Sequence, residues 1–238
     1  MQSRIRWGAA VSILLLGQAA VPDPLQQLSA HWAALKDVKT LSARFVCEKN
    51  LAALETPLNS EGRLWILKKD ADKDNGAVRF STETPYISEL ILADGKVFAR
   101  SQHEEEWTKT NQASRPGLTA VMGQLGGWST GDTSKIADMY AVTIGDPANI
   151  PPAPGAKTER RPIDAFLLTP TNKDLAKAVK QVTLALDSTS HYLYFIEITT
   201  QQDDITRYWF VDVQTNSPLP TDVFKPDGAL VMPEDRKP

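Results

Sequence analysis

Apolar and polar residues alternate from Glu61 to Arg100, and this alternation limits what the chain can fold into. The segments read EGRLWILKK, VRFSTETP and ISELILADGKVFAR. A period of two places successive side chains on opposite faces of a strand, so each segment predicts a half-buried β-strand. Asp94-Gly95 lies between two apolar runs and predicts a tight hairpin, because both turn positions favour positive φ. We therefore expect an antiparallel meander with one buried face.

The same alternation recurs on both sides of this meander, with short polar turns between the segments. The further segments are Leu41–Cys47, Met139–Gly145, Phe166–Leu168, Val182–Leu186, Tyr192–Ile198 and Ile205–Val213. The proline-rich stretch Pro147–Pro162 predicts a loop of partly extended character. Many short strands without alternating helices predict a mainly antiparallel all-β domain.

Two segments have helical spacing instead. Asp23-Pro24 is a favourable helix start, and Leu25, Leu28, Trp32 and Leu35 then fall on one face. A second, shorter helix is predicted by the spacing of Leu118, Val121, Met122 and Leu125. Glycines flank this second helix on both sides, so we expect an element that is able to swing.

The first residues resemble a secretory signal peptide. Arg4 and Arg6 precede a short apolar run and small residues suited to cleavage near Ala19. We expect residues 1–19 to be removed and residues 20–238 to form a single domain. Removal leaves 24 basic and 29 acidic residues, a net charge of −5, which disfavours nucleic acid as a partner. Cys47 stands alone, so no intrachain disulfide is expected.

Gly127-Trp128-Ser129-Thr130-Gly131 fits the G-x-S-x-G pattern of serine hydrolases. Asp164, Asp174 or Asp187, followed by His191, would complete the order of a catalytic triad. That nucleophile needs a buried strand before the serine, whereas the spacing of residues 118–125 is helical. We therefore favour a protein that is not an enzyme and keep the Ser129 hydrolase as an alternative.

The sequence offers no strong metal or cofactor signature. His103 stands beside three glutamates, but no second ligand at a suitable spacing accompanies it, which favours a solvated charge run. His31 and His191 are isolated and predict surface or turn positions. The sequence contains neither glycine-rich phosphate-binding motif, so we expect no cofactor and no bound nucleotide.

Four motifs, in order, resemble the periplasmic outer-membrane lipoprotein carriers of the LolA-like family. They are Leu41–Phe45 (LSARF), Gly62–Lys68 (GRLWILK), Glu89–Lys96 (ELILADGK) and Phe224–Ala229 (FKPDGA). The resemblance implies an open, strongly curved antiparallel β-barrel of about eleven strands, with an N-terminal helix and short lid helices. It also implies a monomeric carrier that shuttles acylated lipoproteins from an inner-membrane exporter to an outer-membrane acceptor.

The same resemblance implies roles for individual residues. Lys68 matches a basic residue that latches the lid, and the lid helix carries Leu118, Val121, Met122 and Leu125. Leu64 and Ile66 share a face with Lys68 by period two. The full set expected to line the lipid cavity is Phe45, Leu64, Ile66, Phe80, Ile91, Leu184, Ile196 and Trp209.

Two alternatives of the same fold remain open. The cavity is able to hold another lipid, such as a glycolipid, or the domain is a sensor that binds a protein partner and carries nothing. Because the sequence shows no nucleotide site, a carrier of this kind needs partners of graded affinity to give transfer a direction.

Overall fold

One antiparallel sheet of eleven strands organises the structure, a computed structural model that describes residues 23–68, 76–93, 96–101, 108–110, 134–155 and 161–226. The strand order is β6-β5-β4-β3-β2-β1-β11-β10-β9-β8-β7, so β6 and β7 are opposite edges and the sheet stays open as a curved half-barrel. This confirms the predicted fold class. The strands are β1 Thr40–Asn50, β2 Leu58–Leu67, β3 Ala77–Thr84, β4 Ser88–Ala93, β5 Lys96–Ser101, β6 Thr108–Thr110, β7 Tyr140–Ile144, β8 Ile163–Pro170, β9 Val179–Asp187, β10 Leu193–Thr200 and β11 Ile205–Thr215.

Short helices accompany the sheet. The described α-helices are α1 Pro24–Ala34, α2 Ser134–Met139 and α3 Lys173–Ala176. Helix α1 begins as predicted: the Asp23 carboxylate accepts a hydrogen bond from the backbone N–H of Leu25, and Pro24 occupies the first turn. None of the described helices is both long enough and apolar enough to span a bilayer. Residues 1–19, the Asp94-Gly95 hairpin and the predicted lid at 118–125 lie outside the described residues.

The main core lies on the face of the sheet that α1 covers, which we call the inner face. Its buried side chains come from most of the strands and include Phe45, Leu64, Phe80, Leu184 and Ile196. Leu28 and Trp32 of α1 pack into the same cluster. The predicted apolar stripe of α1 therefore joins the alternating residues of the sheet in one core.

A second, smaller cluster occupies the opposite, outer face, where Trp209 packs with Phe195 at a ring separation of 5.4 Å. The segment that follows β7 covers this cluster. Trp209 Nε1 donates to the carbonyl of Pro151 at 2.9 Å, and the Ala153 N–H donates to the Tyr194 hydroxyl at 3.2 Å. The first part of the proline-rich loop is therefore a cover for the outer face, and it includes a single 3₁₀ turn at Pro147–Asn149.

Trp209 was expected on the inner face, and this expectation is wrong. Tyr208 and Phe210 are aromatic as well, so the pattern of β11 is compatible with either phase, and the register places Trp209 on the outer face opposite Val46 and Phe195. A bulge follows in the same strand: Ser42 pairs with Gln214 but Arg44 pairs with Val211, so two residues of β11 oppose Ala43. Asp212 has a φ of 53° there. The extra residue moves Val213 onto the inner face, whereas Trp209 and Val211 remain on the outer face.

The outer face also carries a cluster of charged residues. On β3 and β4, Arg79 and Glu89 are almost completely buried and hydrogen-bonded to each other. Arg100 binds the other oxygen of the same carboxylate at 2.9 Å. Arg79 also donates to the carbonyl of Val223 at 2.8 Å, which fixes the segment after β11 against the sheet. This ionic cluster therefore holds the residue that directly precedes the predicted C-terminal motif.

Candidate functional site

A cavity opens on the inner face, between the C-terminal half of α1 and the central strands β1, β2 and β11. The sheet places apolar residues around it in pairs, because Leu41 lies opposite Ile66 and Ala43 lies opposite Leu64 in register. Of its thirteen lining residues ten are apolar. They are Trp32, Leu35, Val38, Leu41, Ala43, Leu64, Ile66, Leu193, Phe210 and Val213, joined by Lys39, Thr40 and Lys68.

The cavity is small. Its volume is about 60 Å³, and one water requires roughly 10–15 Å³, so it has room for only a few waters. A full acyl chain needs more space than this.

A cluster of aromatic side chains adjoins the cavity. Phe210, which lines it, stacks on Tyr208 with a ring separation of 6.4 Å. The Phe45 ring lies 5.8 Å from the Tyr208 ring and 5.6 Å from the Phe80 ring. Phe45 and Phe80 are thus on the inner face, as expected, but in this structure they pack against each other behind the cavity.

The other expected cavity residues divide between the two faces. Leu64 and Ile66 line the cavity, together with Lys68. Leu184 and Ile196 are fully buried in the inner core and do not line the cavity.

Ile91 is on the outer face, where its placement is a second correction. In register it lies opposite Arg79, whereas the neighbouring Phe80 and Val78 of β3 belong to the inner core. It therefore shares its face with Glu89 and the buried ionic cluster. The alternating pattern of β4 is compatible with either phase, because Leu90 and Leu92 are apolar as well.

Lys68 links the cavity to the end of α1. Its Nζ donates to the carbonyls of Leu35 at 3.3 Å and Lys36 at 2.8 Å. The last carbonyls of a helix lack partners within the helix and carry the negative end of its dipole, so an ammonium group there stabilises α1. Burial lowers the pKa of Lys68, and the charge of Asp37 partly offsets this effect. The described partners of the expected latch are thus on α1, and the predicted lid lies outside the described residues.

A histidine pair holds the last turn of α1. His31 Nε2 lies 3.1 Å from Asp164 Oδ2 on β8, and His31 Nδ1 lies 3.0 Å from Nδ1 of His191. Ser188 donates to the same Asp164 oxygen at 2.7 Å. Burial lowers the pKa of His31 despite the charge of Asp164. A neutral His31 that donates from Nε2 accepts at Nδ1 from His191, which satisfies every group in the chain of contacts.

The sequence interpretation missed this cluster. His31 is 8% exposed, although an isolated histidine was expected at the surface. The signal for burial was its position on the apolar stripe of α1, three residues after Leu28 and beside Trp32. His191 does sit at a turn, as expected, with a φ of 63°.

The remaining chemical candidates are dispersed. Ser129 and His103 lie outside the described residues. Asp174 forms an exposed pair with Lys177 at 2.8 Å, and Asp187 accepts hydrogen bonds from the backbone of Thr189 and Ser190. Within the described residues no group of histidine, cysteine and carboxylate side chains is arranged to hold a metal ion.

Comparison with known proteins finds no matching protein family and no match among curated proteins. Solved structures do match. MucB is 16% identical over 86% of this chain and 64% of its own, with a TM-score of 0.50. A DUF1329 family protein from Desulfovibrio piger is 9% identical over 86% of this chain and 98% of its own, with a TM-score of 0.48.

A LolA superfamily protein from Nitrosomonas europaea also matches, at 9% identity over 85% of this chain and 98% of its own, with a TM-score of 0.39. The chain spans about three fifths of the MucB chains that it matches. At such identities the likeness concerns the fold alone. The chain therefore has the open half-barrel fold that MucB also has, and the resemblance predicted from its motifs holds at the level of the fold.

Proposed function

We propose that this chain is a periplasmic carrier that binds an acyl chain in the cavity on the inner face. The cargo is a lipoprotein or another lipid, taken from an inner-membrane exporter and passed to an outer-membrane acceptor. The observation that carries this proposal is the lining of the cavity, ten of whose thirteen residues are apolar. A predominantly apolar lining with few polar groups is typical of sites for hydrophobic ligands.

An acyl chain that leaves the membrane loses its contacts with hydrocarbon, and the apolar lining of the cavity has to replace them. Burial of hydrocarbon is worth about 0.8 kcal/mol per CH₂, so a chain of about 16 carbons resists leaving a bilayer by roughly 12 kcal/mol. An apolar surface that opens along β1 and β2 supplies contacts of the same kind. Because the closed cavity is smaller than such a chain, we propose that α1 moves away from the sheet when cargo enters.

The contacts that hold α1 are few and lie at its C-terminal end. The histidine pair holds its last turn, and Lys68 holds the residues that directly follow it. Trp32 and Leu35 of the same helix line the cavity. A shift of α1 would therefore widen the cavity and bring apolar helix residues against the cargo.

A cavity-filling substitution tests this function. Ala43 lines the cavity and lies opposite Leu64, so Ala43→Phe places a ring where the acyl chain is proposed to bind. We expect mass spectrometry of the exported, purified protein to detect bound acyl lipid with the natural chain and to detect little of it with Ala43→Phe.

Val46→Phe is the matched control, because it adds a ring on the same strand but packs with the outer cluster. We expect this variant to retain the bound lipid, and thermal unfolding to show both variants folded. Absence of lipid from the natural chain, or equal lipid in both variants, would contradict a carrier site at this cavity.

A further inference from the structure

The charged residues around the cavity are of one sign. Lys39 and Lys68 line it, and no carboxylate is among the described lining residues. Lys39 is exposed, whereas Lys68 is half-buried and its Nζ contacts the end of α1. An otherwise apolar cavity with a cation at its rim is complementary to an amphiphile with an anionic head, because the cation matches the head and the apolar lining matches the tail.

Lys68 has a further donor for a ligand. An ammonium group has three N–H bonds, and the carbonyls of Leu35 and Lys36 account for two of them among the described contacts. Asp37 acts on Lys68 through its charge but does not line the cavity. An anion in the cavity would therefore meet Lys68 without a lining carboxylate as a competitor.

Occupation of the cavity also changes the hydration of Lys68. Lys68 is half-buried, so its ammonium group has lost part of its contact with water, and this burial lowers its pKa. A hydrocarbon tail along Leu64 and Ile66 would cover it further. A buried charge without a partner is unfavourable, so an anionic head compensates for this loss, a neutral head does not, and a cationic head adds repulsion.

We propose that the cargo is an amphiphile with an anionic head, bound with the head at Lys68 and its tail along the inner face of β1 and β2. This inference rests on the proposed carrier function and adds the chemical class of the head group. The ammonium group of Lys68 acts as a point charge, whereas the guanidinium group of arginine is a planar fork. A carboxylate and a phosphate therefore share the chemistry that Lys68 recognises.

Displacement of a neutral fluorescent probe, N-phenyl-naphthylamine, measures the preference directly. The competitors are dodecanoate, dodecanol and dodecyltrimethylammonium, which share one tail and differ in head-group charge. Charge-assisted hydrogen bonds contribute enough for about a tenfold preference. We expect dodecanoate to bind about tenfold more tightly than dodecanol, and dodecyltrimethylammonium to bind most weakly.

Three variants assign this preference to one side chain. We expect Lys68→Met to remove the preference for dodecanoate, and Lys68→Arg to retain it because the charge is kept. Lys49→Met is the matched control, since it removes a positive charge from a half-buried position on β1 outside the cavity lining and should leave the preference in place. Circular dichroism confirms that each variant is folded.

The outcomes separate the two proposals. Equal binding of dodecanoate and dodecanol to the natural chain, or a preference that persists in folded Lys68→Met, would overturn the inference and leave the carrier function standing. Failure of all three competitors to displace the probe would overturn the carrier function as well.

Discussion

Gly62 on β2 lies opposite Phe45 on β1, and the space beside its Cα is already occupied. A Cβ atom there would lie 2.0 Å from the carbonyl oxygen of Ser81 and 2.6 Å from Cζ of Phe45. Ordinary contacts between such atoms are well above 3 Å. Only glycine allows β2 and β3 to pair while the Phe45 ring covers the strand.

We expect Gly62→Ala to lower the free energy of unfolding by about 3 kcal/mol, because the backbone of β3 has to move to admit the methyl group. Denaturant titration measures the change. Gly145→Ala is the control, since its added Cβ would lie 3.2 Å from the nearest atom, Cβ of Ala165, and we expect a smaller loss. An equal loss in both variants would contradict a special role for Gly62.

Single residues also show how far the sequence predicts the site. The family resemblance implied a role for Lys68, period two puts Leu64 and Ile66 on the same face, and the structure places all three at the cavity. His31 does not follow in this way, because its partner His191 is 160 residues away in the sequence. Long-range polar contacts of this kind depend on the assembled sheet and leave no local pattern.

At the scale of elements, α1 is the part next to the cavity that we propose to move. The groups that face His31 are Asp164 from β8 and His191 from the turn before β10, and Asp187 adds a weaker charge effect. Burial disfavours the charged form of His31 in spite of Asp164, so the stability of the docked α1 depends on pH.

The contribution of His31 to stability changes with pH in a definite direction. Burial lowers the pKa of His31 from 6.5, so on acidification the unfolded chain takes up this proton before the folded chain does. The contribution to stability is complete above about pH 6.5 and is lost as pH falls through the lowered pKa of the folded state. One proton gives at most about 1.4 kcal/mol per pH unit.

We expect the free energy of unfolding of the natural chain to fall between about pH 7 and pH 5, and His31→Gln to show a shallower fall. Denaturant titrations across this range make the measurement, and the difference between the two chains isolates His31 from other titrating groups. A slope that is the same in both chains would show that His31 does not control the docking of α1.

The bulge in β11 marks a limit of element-level prediction. The pattern from Ile205 to Val213 is compatible with a single uninterrupted face, yet Asp212 interrupts it and separates Trp209 from Val213. Aspartate tolerates positive φ better than most residues, but the sequence alone does not show that it adopts it here. One inserted residue therefore changed the face of Val213 and left Trp209 on the outer face.

At the scale of the whole molecule, the pattern of strands was sufficient to predict an antiparallel all-β domain, whereas its open, curved form was implied by the family resemblance. Alternation fixes which residues form strands, and the absence of intervening helices favours neighbour pairing, which the strand order bears out. The volume left inside was not predictable. Phe45, Phe80 and Tyr208 pack against one another within the half-barrel and occupy interior space that the alternating pattern alone leaves open.

An acyl chain brominated near its middle tests most directly whether cargo binds on the inner face, because bromine quenches only those tryptophans that it contacts. Trp32 lines the cavity, and Trp209 lies on the outer face beneath the segment at Pro151. We expect quenching in the natural chain and in Trp209→Phe, and loss of most of it in Trp32→Phe. Quenching that persists in Trp32→Phe but disappears in Trp209→Phe would place the acyl chain on the outer face and contradict the proposed cavity.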